Sequence, residues 1–284
     1  MKLKTFAAAL AATTIAGSAF AADLPSRKVA PAYIAPAPVF TWTGFYIGLN
    51  AGYGWSDNAR FNHGLTNVTG TAGLIYGVPA NQALGSALGT GSGASSGGFT
   101  GGGQVGFNYQ MGSLVTGLEA DIEYFRRSAR IAGAGIDTTG NTLMVSNNVS
   151  ASYLATVRGR LGFALDRALL YVTGGLAMSD LKYTSTMFTT LGTGFGTFQT
   201  SGTKLGWTVG AGVEYALTNN WTIKGEYLYT QFSGASGIGL LGPNAGGFSN
   251  FYVSSVGKQS NHIVRAGLNY KFGWASAAPV VAKY

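Results

Sequence analysis

The sequence predicts an all-β chain, an eight-stranded antiparallel transmembrane β-barrel with four long extracellular loops. Three observations lead there. Apolar and polar residues alternate with a period of two over run after run, glycine fills 45 of 284 positions while charged residues make up 10%, and short and long connections follow one another in turn. Average usage is about 7% glycine and about 25% charged residues, so an ordinary soluble enzyme domain with a charged surface is excluded. The apolar content of 46%, with 13% aromatic residues, excludes a disordered chain. Glycine at this density is incompatible with a helical bundle, where each interior glycine costs about 1 kcal/mol against alanine. The absence of cysteine excludes a disulfide scaffold.

Lys2 and Lys4, the apolar stretch Phe6 to Phe20 and the small-residue pattern Ala19-Phe20-Ala21 read as a cleaved signal peptide over residues 1–21. Of 18 basic and 10 acidic residues, losing Lys2 and Lys4 leaves 16 and 10, a net charge of +6. Residues 22–41, with Pro25, Pro31, Pro36 and Pro38, form an Ala/Pro-rich periplasmic linker. The barrel occupies residues 42–272, and residues 273–284 form a C-terminal tail. Beyond the signal peptide the sequence has no apolar run of the roughly 18 residues that a spanning helix requires, so membrane crossing falls to strands.

The strands follow in order. In Trp42–Ser56, Phe45, Ile47, Leu49, Ala51, Tyr53 and Trp55 share one face, and glycines with Tyr46 and Asn50 share the other. Phe99–Gln110 sets Val105, Phe107 and Tyr109 against Gln104, Asn108 and Gln110. Leu114–Phe125 sets Leu118, Ala120, Ile122 and Tyr124 against Glu119, Asp121 and Glu123. Ser152–Ala164 sets Tyr153, Val157, Leu161 and Phe163 against Thr156, Arg158 and Arg160. Ala168–Ser179, Thr203–Ala216, Trp221–Phe232 and Asn261–Phe272 complete the set. The short connections are Met111-Gly112-Ser113, Leu165-Asp166-Arg167 and 217–220; the long ones are 57–98, 126–151, 180–202 and 233–260.

The faces identify the solvent. One parity collects Glu119, Asp121, Glu123, Arg158, Arg160, Lys204, Glu214, Lys224, Glu226, Arg265 and Lys271, five acids and six bases. So near a balance suits a narrow lumen closed by ion pairs, and a salt-bridged plug is a better reading of these carboxylates than an acid–base catalytic pair. The opposite parity carries aromatics near both strand ends, including Phe45, Tyr109, Phe163 and Tyr215 at the short-turn end and Tyr53, Phe99, Tyr124 and Trp207 at the other. Aliphatic residues lie between them. Two aromatic rows around an aliphatic band match the two interfaces of a bilayer.

The stretches Trp42-Thr43-Gly44-Phe45-Tyr46-Ile47-Gly48-Leu49-Asn50-Ala51-Gly52 and Val264-Arg265-Ala266-Gly267-Leu268-Asn269-Tyr270-Lys271-Phe272 resemble the ends of the porin-like eight-stranded outer-membrane β-barrels of Gram-negative bacteria. That group includes major surface antigens and haemin-binding proteins. The resemblance implies an outer-membrane location and assembly by the barrel-assembly machinery. Such chains often end on the aromatic of the last strand, whereas Gly273 to Tyr284 continue past Phe272. The expected function is a structural barrel contributing to envelope integrity, with a narrow passive pore, or a surface haem or ligand binder, as alternatives.

Chemistry-bearing residues are few. No HExxH, GxSxG or P-loop pattern occurs. Ser260 beside His262 is the nearest approach to a nucleophile and base, and His63 with His262 the nearest to a haem or metal site; neither makes a full set. No enzyme activity, cofactor or metal is expected. Arg60, Arg126, Arg127, Arg130, Lys182 and Lys258 lie near the long-loop ends and are candidate contacts to lipopolysaccharide, since arginine and lysine both suit phosphate. Outer-membrane lipid and lipopolysaccharide are the expected partners, with no nucleic acid, and the chain is expected to be monomeric.

Overall fold

Tight hairpins fix the register at one end of the molecule. In the computed structural model, which describes residues 40–57, 61–67, 97–136, 142–189, 195–241 and 250–273, Met111 pairs with Leu114 and Leu165 with Ala168. Gly112 and Asp166 take positive φ at these turns, conformations open to glycine and tolerated by aspartate. The described residues form β1 (Gly44–Ser56), β2 (Phe61–Asn67), β3 (Gly98–Met111), β4 (Leu114–Ile136), β5 (Thr142–Leu165) and β6 (Ala168–Thr189). β7 (Phe195–Ala216), β8 (Trp221–Phe232), β9 (Ala235–Leu241), β10 (Asn250–Val256) and β11 (Gln259–Lys271) follow.

Eight of these strands close a ring in the order β1-β3-β4-β5-β6-β7-β8-β11, with β11 pairing back onto β1, and every pairing is antiparallel. Closure leaves the ring without an unpaired edge. The inward row holds the charged and polar parity, and the outward row leaves Leu118 68%, Ile122 60% and Phe99 66% exposed. A molecule that buries Arg and Glu and exposes Leu, Ile and Phe takes lipid as its outer solvent.

The long connections differ from the expectation. Residues 126–136, 142–151, 180–189 and 195–202 are not loop but continue β4, β5, β6 and β7, which run to 22–24 residues each. Beyond the ring these strands carry on as an open sheet, with β9 added to β7, β10 to β9 and β2 to β10. Their Gly/Ser/Thr/Asn composition reads as loop, yet the inward positions Val145, Val149, Tyr183, Met187 and Ile131 are buried and give the sheet its own apolar interior. Register slips where β5 passes from ring to extension, between Tyr124 and Arg127 of β4 and between Ser150 and Leu154 of β5. The Asp180 carboxylate accepts the backbone N–H groups of Ser152 and Tyr153 there, at 2.7 and 3.0 Å, and so satisfies donors that the slip takes out of the ladder. Residues 1–39 and 274–284, which hold the expected signal peptide, nearly all of the linker and nearly all of the tail, lie outside the described residues.

Candidate functional site: a charged lumen between two apolar seals

The lumen is filled in layers. At the short-turn end Trp42, 1% exposed, turns inward against Val115, Ala164, Leu169, Tyr171 and Ala216. Its backbone N–H donates to Gln110 Oε1 at 2.7 Å and its indole N–H to the Asp166 carbonyl at 3.3 Å, while Phe40 packs edge-on at 5.0 Å. The alternation predicts a strand beginning at Trp42 but gives this side chain no role. Its parity, shared with Tyr46, is the signal that could have placed it inside.

The next layers hold the ions. Arg158 donates to Glu119 at 2.5 Å, to Asp121 at 2.7 Å, to Glu226 at 2.9 Å and, through Nε, to Thr156 at 2.9 Å. Arg265 reaches Glu226 at 2.8 Å, Asp121 at 3.2 Å and Glu123. Lys224 donates to both oxygens of Glu119 at 2.8 and 3.0 Å, and the Tyr46 hydroxyl adds a further bond at 2.7 Å. Nearer the short turns Arg160 pairs with Glu214 and stacks 3.7 Å above the Tyr171 ring. Glu214 also accepts from Thr222 at 2.5 Å and from Asn269 at 2.9 Å. Strand pairing brings part of this about: Glu119 faces Arg158 across β4–β5 and Arg265 faces Glu226 across β11–β8, whereas Glu214 and Lys224, opposite each other across β7–β8, bond Arg160 and Glu119 instead.

Toward the long connections Phe125, Leu154, Ala177, Leu228, Phe232 and Ile263 pack as a second apolar layer, none more than 4% exposed. The ions are thus held away from water on both sides, the condition under which full pairing matters most. Inward glycines do not open the lumen. A Cβ at Gly106 would collide with the Tyr46 ring and the Leu118 carbonyl, and one at Gly212 would come within 2.6 Å of Tyr171, so their space is already taken by these tyrosines and by backbone.

Several expected positions change. Glu119, Asp121, Glu123, Arg158, Arg160, Glu214, Lys224, Glu226 and Arg265 come together, but Lys204 and Lys271 do not join them. Lys204 pairs with Ser179 in register at the margin of the ring, and no described carboxylate bonds it. Lys271 lies at the short-turn end, donates to the Thr41 carbonyl and stands 4.2 Å over the Phe40 ring. Arg127 is not a rim residue. Strand β4 continues through it with inward parity, so it is 3% exposed and donates to Asn261 and Gln259, each at 2.7 Å. Arg126, Arg130, Lys182 and Lys258 are exposed, and Arg60 lies outside the described residues.

No nucleophile–base pair forms at Ser260 and His262. The Ser260 hydroxyl bonds Tyr229 at 2.9 Å, while His262 is held by Tyr227 at 2.6 Å and Asp57 at 3.3 Å and stacks on Trp55 at 5.5 Å. His63 falls in β2, in register with Ser254 of β10. Among the described residues no three His, Asp or Glu side chains are arranged to hold a metal ion.

Residues 7–272 match the family described as outer membrane protein beta-barrel domain. The chain is 34% identical over 274 residues to the 31 kDa outer-membrane immunogenic protein of Brucella melitensis, covering 95% of this chain and all of that protein. It is 29% identical over 235 residues to a 22 kDa outer membrane protein of Rhizobium leguminosarum, covering 83% and 80% of the two chains. Among solved structures, the outer membrane protease OmpT of Escherichia coli aligns with a TM-score of 0.39 and 11% identity, over 84% of this chain and 99% of that one.

Proposed function

The chain belongs to the outer membrane protein beta-barrel domain family and resides in the outer membrane, and from that premise we propose that it is a non-conducting structural barrel that braces the envelope and holds a stiff ridge of sheet outside the cell. One observation carries the reading. The lumen is closed three times over, by Trp42 and its neighbours, by the Arg158–Arg265–Lys224 ion cluster and by the Phe125–Phe232 layer. An eight-stranded ring is just wide enough to be filled by side chains, and here bulky charged and aromatic groups fill it. Closing each ladder around such a cluster ties distant strands to one another, which suits a load-bearing element better than a passage. The extended β4–β7 strands, given an apolar interior of their own, support a second part of the role, display of a rigid surface to the exterior.

Planar-bilayer recording tests this. The refolded barrel is expected to give no resolvable unitary current in simple salt. Steady single-channel steps that survive when Trp42 and the ion cluster are intact would overturn the reading in favour of a passive pore.

A further inference from the structure

We propose that the outer face of β4–β6, just past the aromatic row, is a docking surface for a phosphorylated lipid, held by Arg126, Arg130 and Lys182. The proposal rests on the reading above that the long-connection end faces the exterior, where it meets the outer leaflet. Along β4 the inward positions Phe125, Arg127, Ala129 and Ile131 are buried, which turns Arg126, Ser128 and Arg130 outward. Register sets Ser128 beside Ser150 and Ser150 beside Lys182, so Lys182 lies level with the midpoint between the two arginines, two strands away. At about 3.3 Å per residue and about 4.8 Å between strands, the arginines stand roughly 13 Å apart and the lysine about 10 Å across from their midpoint. All three side chains are exposed.

The acid among them is engaged. Asp180, the one described carboxylate on this face, accepts the amides of Ser152 and Tyr153. The three cations therefore face outward with one carboxylate nearby, itself bound to backbone. Directly below them the same strands present Tyr124, Ile122, Leu118 and Leu176, each more than half exposed. A soluble polyanion would use only the cations. An amphiphile whose phosphates sit at the interface and whose acyl chains run along the strands uses both, and this continuity of cationic array and apolar band selects it. Arginine meets phosphate as a fork and lysine as a point charge, so the set can grip more than one phosphate oxygen. Lys258, between β10 and β11, and the buried Arg127 lie off this face.

The test uses the full barrel in detergent, titrated with bisphosphorylated lipid A in mixed micelles, with the same lipid dephosphorylated, with inorganic phosphate and with a heparin oligosaccharide. The phosphorylated lipid is expected to bind at least about tenfold tighter than each of the other three. Each base near a charged lipid surface contributes about a fivefold change in affinity, so Arg126→Ala, Arg130→Ala and Lys182→Ala together should weaken binding on the order of a hundredfold. Lys258→Ala should leave it unchanged. Because all three positions are exposed, the triple variant should keep heat-modifiable migration on gels, and Arg130→Glu alone should repeat the loss in part. Triple-variant binding within about twofold of the native chain would overturn the proposal. So would equal binding of inorganic phosphate, of heparin or of the dephosphorylated lipid. The micelle assay is blind to orientation, so lipid binding together with cellular labelling that puts Lys258 in the periplasm would keep the docking surface and overturn the orientation.

Discussion

Replacing Arg158 by methionine removes the centre of the lumen network while keeping most of the side-chain volume. Three carboxylates lose a partner, Glu119 at 2.5 Å, Asp121 at 2.7 Å and Glu226 at 2.9 Å, and Thr156 loses its bond to Nε. Charge-assisted bonds at about 1.5–3 kcal/mol each would overstate the effect if simply added. Arg265 remains 3.2 Å from Asp121 and 2.8 Å from Glu226, and Lys224 remains 2.8 Å from Glu119, so each acid keeps at least one cation. The expected loss is that of breaking a single buried ion cluster, about 3–5 kcal/mol. Urea unfolding in lipid vesicles, followed by tryptophan fluorescence, measures it. Adding Glu226→Gln to the variant removes part of the stranded charge and should recover about 1–3 kcal/mol of coupling. Lys204→Met, at a lumen-parity position with no carboxylate partner among the described residues, should move stability by less than about 0.5 kcal/mol. If Arg158→Met and Lys204→Met unfold alike, or if the double variant is additive, the cluster does not hold the strands together as argued.

Three further outcomes are expected. Trp42→Ala should cost about 3–5 kcal/mol, the usual range for emptying a buried tryptophan site, and should leave the bilayer silent because two further layers still close the lumen; unfolding and conductance measured together check both. Val209→Arg, half exposed on the lipid side, should cost about 2–4 kcal/mol near the bilayer midplane, whereas Thr208→Arg, buried beside the Tyr229 carbonyl, should fail by crowding that a smaller lysine partly relieves; equal assembly defects at the two positions would refute the face assignment. A cysteine at Lys258 should react with an impermeant maleimide on intact cells and one at Ser113 should not, against a background with no native cysteine; labelling at Ser113 would reverse the orientation.

Alternation by itself determined the strand faces, and with them the nature of the outer solvent, because a period of two assigns each residue to one side of a sheet whatever its neighbours are. It placed Glu119, Arg158, Glu214 and Arg265 in one lumen without knowing any pairing. The tight turns were legible too, since Gly112 and Asp166 are residues that tolerate the backbone those hairpins need. Tertiary structure alone decided where the strands stop. The connection 126–151 is rich in Gly, Ser, Thr and Asn and so has the composition of a loop, and only the pairing of 126–136 with 142–151, and of 142–151 with β6, makes these two stretches strand. That continuation is why Arg127 is buried while its neighbour Arg126 is exposed. Register across non-adjacent strands likewise decided which charges meet. Lys204 has lumen parity but lies opposite Ser179 on β6 and bonds no described carboxylate, and Trp42 became a plug because the chain folds inward just before β1 begins. Parity is a local property of the chain, whereas the height of a residue along the barrel depends on every pairing around the ring.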